Sequence, residues 1–281
     1  MKSAQRQVII AGNWKMHKTT KQAVVLAEHI QNAVAGEKTL PEIVVIPPFT
    51  ALAAVEKCIK KGPLKLGAQN LDWHDEGAFT GEISPVMLTD LNVKYVLIGH
   101  SERRQHFGET NTTVPLRIKA ALAHGLKPIL CVGEMIDERE AGLTDAVVGR
   151  QVGAALGELN LDQFSQVSIA YEPVWAIGTG NNCAAAEANR VCGMIRKTVA
   201  ALCARLETSG AANGQFNASQ LPVLYGGSVK ASNMAEQMKQ EHIDGALVGG
   251  ASLIGDEFVA IIKAAQERLK RAGKATPTAA R

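Results

Sequence analysis

Three residues of unlike chemistry stand directly behind short apolar runs. They are Lys15 in Gly12-Asn13-Trp14-Lys15, His100 in Gly99-His100-Ser101-Glu102-Arg103-Arg104, and Glu172 in Tyr171-Glu172-Pro173-Val174-Trp175. Two glycine pairs, Gly226-Gly227 before Ser228 and Gly249-Gly250 before Ala251-Ser252, follow two further runs. A carboxylate, an imidazole and an ammonium around one opening suit proton abstraction next to a carbonyl. The carboxylate takes the proton while the other two stabilise charge developing on oxygen. Gly-Gly turns leading into helices present backbone N–H groups at a positive dipole end, an arrangement that holds a phosphate dianion. The substrate class implied is a phosphorylated carbonyl compound with an acidic α-hydrogen. No P-loop and no G-x-G-x-x-G, H-E-x-x-H or G-x-S-x-G pattern is present, so no nucleotide, metal, serine nucleophile or cofactor is expected.

Taken singly, each of these residues has a bland explanation. Lys15 could be a solvated lysine, His100 could help start a helix, Glu172 could be a plain loop carboxylate, and the glycine pairs could serve tight turns. Their convergence is what carries specificity, and it depends on the elements that position them. Eight short runs read as buried strands: 8–10, 43–46, 64–68, 95–98, 128–132, 167–171, 222–225 and 245–248. They are continuous apolar runs, not alternating ones, as parallel strands covered on both faces require. Helical periods lie between them. Ala23, Leu26, Ala27, Ile30 and Val34 share one face, and Phe258, Ile261, Ile262, Ala265 and Leu269 repeat the same offsets behind Asp256, placed to cap.

Strand and helix alternating eight times permits an open doubly wound sheet or a closed (β/α)8 barrel. The count of eight, with no composition break or linker, favours closure into a single α/β (β/α)8 barrel over residues 1–272. Residues 273–281 form a short basic tail expected to fray. In such a barrel the loops after the carboxyl ends of the strands form the active face, so all the polar residues above meet at one mouth.

Composition is consistent with this and excludes other classes. The 281 residues are 46% hydrophobic and 20% charged, which rules out disorder and supplies a core that is aliphatic, since aromatics are only 4%. A net charge of +3 without clustered basic residues argues against nucleic acid or a membrane surface as partner. Cys58, Cys131, Cys183, Cys192 and Cys203 are odd in number and form no C-x-x-C pair, which suggests neither a disulfide framework nor a zinc site. The apolar run that opens the chain is too short for a signal peptide, and no stretch reaches the roughly 18 apolar residues of a membrane span, so a cytoplasmic location is expected.

Five segments, in order, resemble the triosephosphate isomerase family. They are Ala11-Gly12-Asn13-Trp14-Lys15-Met16, Gly77-Ala78-Phe79-Thr80-Gly81-Glu82-Ile83-Ser84, Ile98-Gly99-His100-Ser101-Glu102-Arg103-Arg104, Tyr171-Glu172-Pro173-Val174-Trp175-Ala176-Ile177-Gly178-Thr179-Gly180, and Tyr225-Gly226-Gly227-Ser228-Val229. The resemblance covers nearly the whole chain and implies a TIM barrel that interconverts dihydroxyacetone phosphate and glyceraldehyde 3-phosphate without cofactor or metal. It implies Glu172 as the base, and His100, kept neutral by the helix starting at Ser101, as donor to the enediolate oxygens. Lys15 would supply fixed positive charge, with Asn13 hydrogen-bonding nearby, and Glu102 would orient the lysine or shuttle protons. Gly178, Ser228, Gly249 and Gly250 would contact the phosphate, residues 173–180 would close over it, and Thr80 would reach towards Asn13 of a second subunit in a homodimer. Cys131 resembles a structural cysteine of the family.

The chain also departs from that pattern. After Gly180 it reads Asn181-Asn182-Cys183-Ala184-Ala185-Ala186, without the family's usual lysine or the proline that opens the next helix, which implies a less rigid second hinge. Residues 209–217, rich in Gly, Ser and Asn, read as a surface insertion before the seventh strand. Two other functions compete with an isomerase. A non-catalytic phosphate-binding or surface-interaction protein retaining the barrel is disfavoured by the presence of Lys15, His100 and Glu172 together. A Schiff-base lyase is disfavoured because Lys15 lies on the first loop, away from the middle strands.

Overall fold

Eight parallel strands close into a barrel in chain order in the computed structural model, which describes residues 6–178, 183–208 and 216–274. They are β1 (Ile9–Asn13), β2 (Glu42–Ile46), β3 (Leu64–Ala68), β4 (Tyr95–Ile98), β5 (Lys127–Val132), β6 (Ser168–Tyr171), β7 (Val223–Tyr225) and β8 (Gly245–Val248). β1 pairs with both β2 and β8, so the sheet has no free edge.

Side chains alternate across each strand and build two cores. Ile9 and Ala11 of β1, Val44 and Ile46 of β2, Tyr95 and Leu97 of β4, Ile129 and Cys131 of β5, Ala170, Leu224 and Leu247 pack together inside the barrel. β3 contributes Gly67 to this space, where a Cβ would lie 2.8 Å from Ile46 and 3.0 Å from Val44. The intervening residues, such as Ile10, Ile43, Val96 and Leu130, pack outward against the helices. Both faces are therefore buried, and this is why the strands read as continuous apolar runs.

The first helix spans Thr20–Val34 and buries Ala23, Leu26, Ala27, Ile30 and Val34, the face its periodicity predicts. The last helix spans Gly255–Lys274 and buries Phe258, Ile261, Ile262 and Ala265, with Leu269 packed at the edge of the core. It begins at Gly255, so Asp256 is not its cap. Asp256 sits inside the first turn, where its carboxylate pairs with His29 at 2.8 Å. β1 extends three residues beyond the apolar run, because Gly12 and Asn13 continue the ladder opposite Val45 and Ile46. Of the lid and hinge positions read from sequence, Thr179 to Asn182 lie outside the described residues, as do 209–215 of the insertion and 275–281 of the tail. Among the described residues, no helix is long and apolar enough to cross a membrane.

Candidate active site

The inward alternation of β1 places Asn13 after Ile9 and Ala11, at the carboxyl mouth, where it is buried. Its Oδ1 accepts a hydrogen bond from the Lys15 N–H at 3.0 Å, and its Nδ2 lies 3.3 Å from His100 Nε2. Lys15 has φ 49°, a left-handed conformation costing a lysine on the order of 1–2 kcal/mol. That conformation is held from both sides, since Gln69 Nε2 donates to the Lys15 carbonyl at 2.7 Å. The ammonium reaches Glu102 Oε1 at 2.5 Å and arches over Gly249, whose Cβ, were there one, would lie 3.5 Å from Lys15 Cε.

β4 ends at Ile98, and Gly99 at φ 74° turns the chain so that His100 caps the helix Ser101–His106. The His100 Nδ1 accepts from the Glu102 N–H at 3.3 Å, which leaves Nε2 as the N–H that faces the mouth. Glu172 is the next inward residue after Ser168 and Ala170 of β6 and is 2% exposed. Its Oε2 accepts from the Ser101 N–H at 2.9 Å and its Oε1 lies 3.0 Å from His100 Nε2. Burial alone would raise the Glu172 carboxyl, but the adjacent imidazole and the Ser101 N–H outweigh it and hold the carboxyl below its ordinary range. Burial likewise disfavours a charged His100, yet the touching Glu172 carboxylate raises its proton affinity above that of an ordinary histidine. The helix start alone therefore does not set the state of His100 here: the docked base pulls the other way.

A cavity of about 270 Å³ is lined by Asn13, Lys15, His100, Glu172, Gly178, Ser228, Gly249 and Gly250 together. Two expected residues stand apart from it. Glu102 meets the cavity through its contacts with Lys15 and His100, and Thr80 is exposed on the loop after β3. A larger cavity of about 440 Å³ lies between the first helix and the start of the last one. Its carboxylate, Asp256, and its imidazole, His29, are exposed surface groups paired with each other, so it lacks a buried base.

Sequence reasoning overlooked three participants and gave a fourth, Gly226, a different role. Gln69 directly follows the end of β3, and Glu134 lies two residues beyond the end of β5, as Lys15 lies two beyond the end of β1. The buried Glu134 Oε1 accepts from Trp175 Nε1 at 2.8 Å and from the Tyr171 hydroxyl at 3.0 Å, which ties down the foot of the segment leading to Gly178. Lys230 lines the cavity beside Ser228 as a second cation. Gly226, read as part of a turn, makes room for the carboxylate: a Cβ there would lie 2.9 Å from Glu172 Cγ and 3.1 Å from the Tyr171 carbonyl oxygen.

A carboxylate buried against an imidazole, at the carboxyl mouth of a closed barrel, is the arrangement of a (β/α)8-barrel enzyme that could move protons. Comparison with known proteins narrows this. The family model described as triosephosphate isomerase matches residues 8–265. The chain is 50% identical over 261 residues to the triosephosphate isomerase of Synechococcus sp. (strain JA-3-3Ab), covering 92% of this chain and 94% of that one. It is 49% identical over 257 residues to that of Thermoanaerobacter pseudethanolicus, covering 92% and 99%, and 50% identical over 254 residues to that of Chloroflexus aurantiacus, covering 90% and 97%. The chain belongs to the triosephosphate isomerase family.

Proposed function

We propose that the chain is an isomerase interconverting dihydroxyacetone phosphate and glyceraldehyde 3-phosphate by proton transfer through an enediolate. The observation that carries this is the buried Glu172 in contact with His100, opening onto a cavity that also holds Lys15 and the two glycine pairs. Glu172 removes a proton from C1 of dihydroxyacetone phosphate and returns it to C2. To do so its carboxylate leaves the Ser101 N–H and His100 Nε2 and moves over the substrate. That departure removes the charge that raises the proton affinity of His100, which favours the neutral imidazole as it turns to the enediolate oxygens. A neutral imidazole suits the task, because its acidity is closer to that of the enediol with which it exchanges protons.

Lys15 supplies fixed positive charge to the oxyanion and the phosphate, with Asn13 beside it and Glu102 orienting the ammonium. Ser228 and the N–H groups of Gly178, Gly249 and Gly250 hold the phosphate dianion. Residues 173–180 close over the site, exclude water and keep the enediolate from expelling phosphate.

Residues 1–272 serve as one catalytic barrel with a short tail. The chain works as a homodimer in the cytoplasm, with Thr80 of one subunit near Asn13 of the other. Support for the dimer comes from Met16, 95% exposed on the loop after β1, and from Phe79, Val86 and Met87, also exposed in the isolated chain. Steady-state turnover of glyceraldehyde 3-phosphate by the purified chain tests the function. A kcat/KM approaching about 10⁸ M⁻¹s⁻¹ is expected. A folded protein that binds phosphate without turnover would instead be the non-catalytic barrel.

A further inference from the structure

We infer that Glu109, together with Arg104, is a positioning residue for His100, acting through the two peptide groups of Gly99. This rests on the reading of His100 as the proton donor of the site. The Gly99 N–H donates to Glu109 Oε2 at 2.8 Å, and the Gly99 carbonyl accepts from Arg104 Nε at 2.7 Å. The residue immediately before His100 is thus gripped on both faces by charged side chains, and such bonds are roughly twice as strong as neutral ones. Glu109 is itself buried, and its Oε1 is taken up by Arg103 Nε, with Arg117 at 3.7 Å. Arg104 is held in turn by Asn111 Oδ1 at 2.9 Å.

The grip falls where the chain conformation decides the direction of the imidazole. Gly99 has φ 74°, and a Cβ on it would meet Arg104 Nη2 at 2.8 Å and the Cys131 carbonyl at 3.2 Å, so only glycine fits. Glycine in this region has little intrinsic preference, and an ungripped Gly99 could rotate. Rotation by a few tens of degrees would carry His100 Nε2 away from the point shared with Asn13 and Glu172.

The test compares wild type with Glu109→Leu, which removes the acceptor, and with Asn111→Ala, which loosens Arg104 while keeping every Glu109 pair. The readouts are kcat and KM for glyceraldehyde 3-phosphate, and the ¹⁵N resonances of the His100 ring in the unliganded protein. Glu109→Leu is expected to lose on the order of 100-fold in kcat with KM little changed, as for a catalytic group displaced by about 1 Å. Asn111→Ala is expected to fold normally and show a smaller fall in kcat. In both, the ring signals should depart from those of wild type recorded at the same pH. Wild-type ring signals and kcat in Asn111→Ala, together with wild-type kcat in whatever Glu109→Leu folds, would overturn the inference. If wild type itself fails to turn over substrate, the proposed function fails instead, while the ring resonances still report whether Glu109 and Arg104 orient His100.

Discussion

His100 Nε2 lies 3.0 Å from Glu172 Oε1, so the unliganded protein keeps the proposed base against the proposed proton donor. The two groups favour each other's charged form, and stability follows from the signs. His100 is raised in the folded state, so its contribution is complete below the unfolded value of about 6.5 and is lost as pH rises through the folded value. Glu172 is depressed, so its contribution is complete above about 4.3 and is lost as pH falls through the folded value. The Tm difference between wild type and Glu172→Gln should therefore be widest between about pH 4.3 and 6.5 and narrow on either side. A gap independent of pH across that range would show that the pair does not form. The same variant should lose about 10²–10⁴-fold in kcat, and titration of its His100 by NMR should give a lower pKa than in wild type.

Lys15 and Glu102 should separate in their effects. Lys15→Met removes the fixed positive charge from the cavity and should lower kcat/KM about 10²–10³-fold. Glu102→Gln removes the charged partner of the ammonium and a carboxylate 3.8 Å from His100 Nδ1. With the two side chains 26% and 40% exposed, solvent already screens the pair, and the loss should stay within about fivefold. Steady-state kinetics at low and high ionic strength check this. Equal losses in the two variants would make Glu102 a participant in proton transfer.

The barrel and most of its mouth were legible in the sequence because one rule covers both. The inward alternation that buries Ile9 and Ala11 carries on to Asn13, and the alternation through Ala170 carries on to Glu172, so a polar residue in phase at a strand's end is a site residue. Gln69 obeys the position rule but stands in no conspicuous motif, and Glu134 falls outside the rule because it continues the outward phase of Leu130 and Val132. Glu109 was not legible at all, since its partner is the N–H of Gly99, and a glycine's backbone leaves no mark on periodicity. Gly226 was visible, but its function is the room it leaves for a side chain on another strand, which only the closed barrel reveals. Asp256 preceded an apolar period as a cap should, yet the helix begins at Gly255, one residue earlier.

Subunit association should depend on the apolar side chains left exposed on the loops after β1 and β3. Phe79 stacks on His74 at 4.0 Å and is still 42% exposed, and Met16 is almost wholly exposed. Met16→Glu combined with Phe79→Glu places charge where a partner would bury apolar surface. Sedimentation velocity should then report a monomer, and activity per chain should fall if Thr80 of one subunit meets Asn13 of the other as proposed. A double variant that sediments as wild type would remove these loops from the interface.

Pro at position 185 should stiffen the second hinge of the lid. Ala185 is the first residue of the helix Ala185–Thr208, where a fixed φ is already suited to the helix and the missing N–H costs nothing. Ala185→Pro is expected to stabilise the protein by about 0.4–1 kcal/mol, or about 1–4 °C in Tm. Combined with Asn181→Lys it should change the rate of lid opening, measured by relaxation dispersion, while chemistry stays intact. Loop kinetics matching wild type would mean that the family's lysine and proline do not set the hinge.

Gly178 should decide whether phosphate stays on the substrate. It has φ 71° and lines the cavity, so a β-branched side chain there costs on the order of 1–2 kcal/mol in backbone strain and opposes the conformation that brings its N–H to the phosphate. Gly178→Val should therefore lower kcat by on the order of tenfold, the equivalent of about 1.4 kcal/mol. The more telling readout is inorganic phosphate released per turnover. An enediolate under a poorly closed lid can expel its phosphate in competition with reprotonation, so the released fraction should rise as kcat falls. If kcat falls without extra phosphate, the segment assists binding but does not protect the intermediate. If neither changes, it is not a lid.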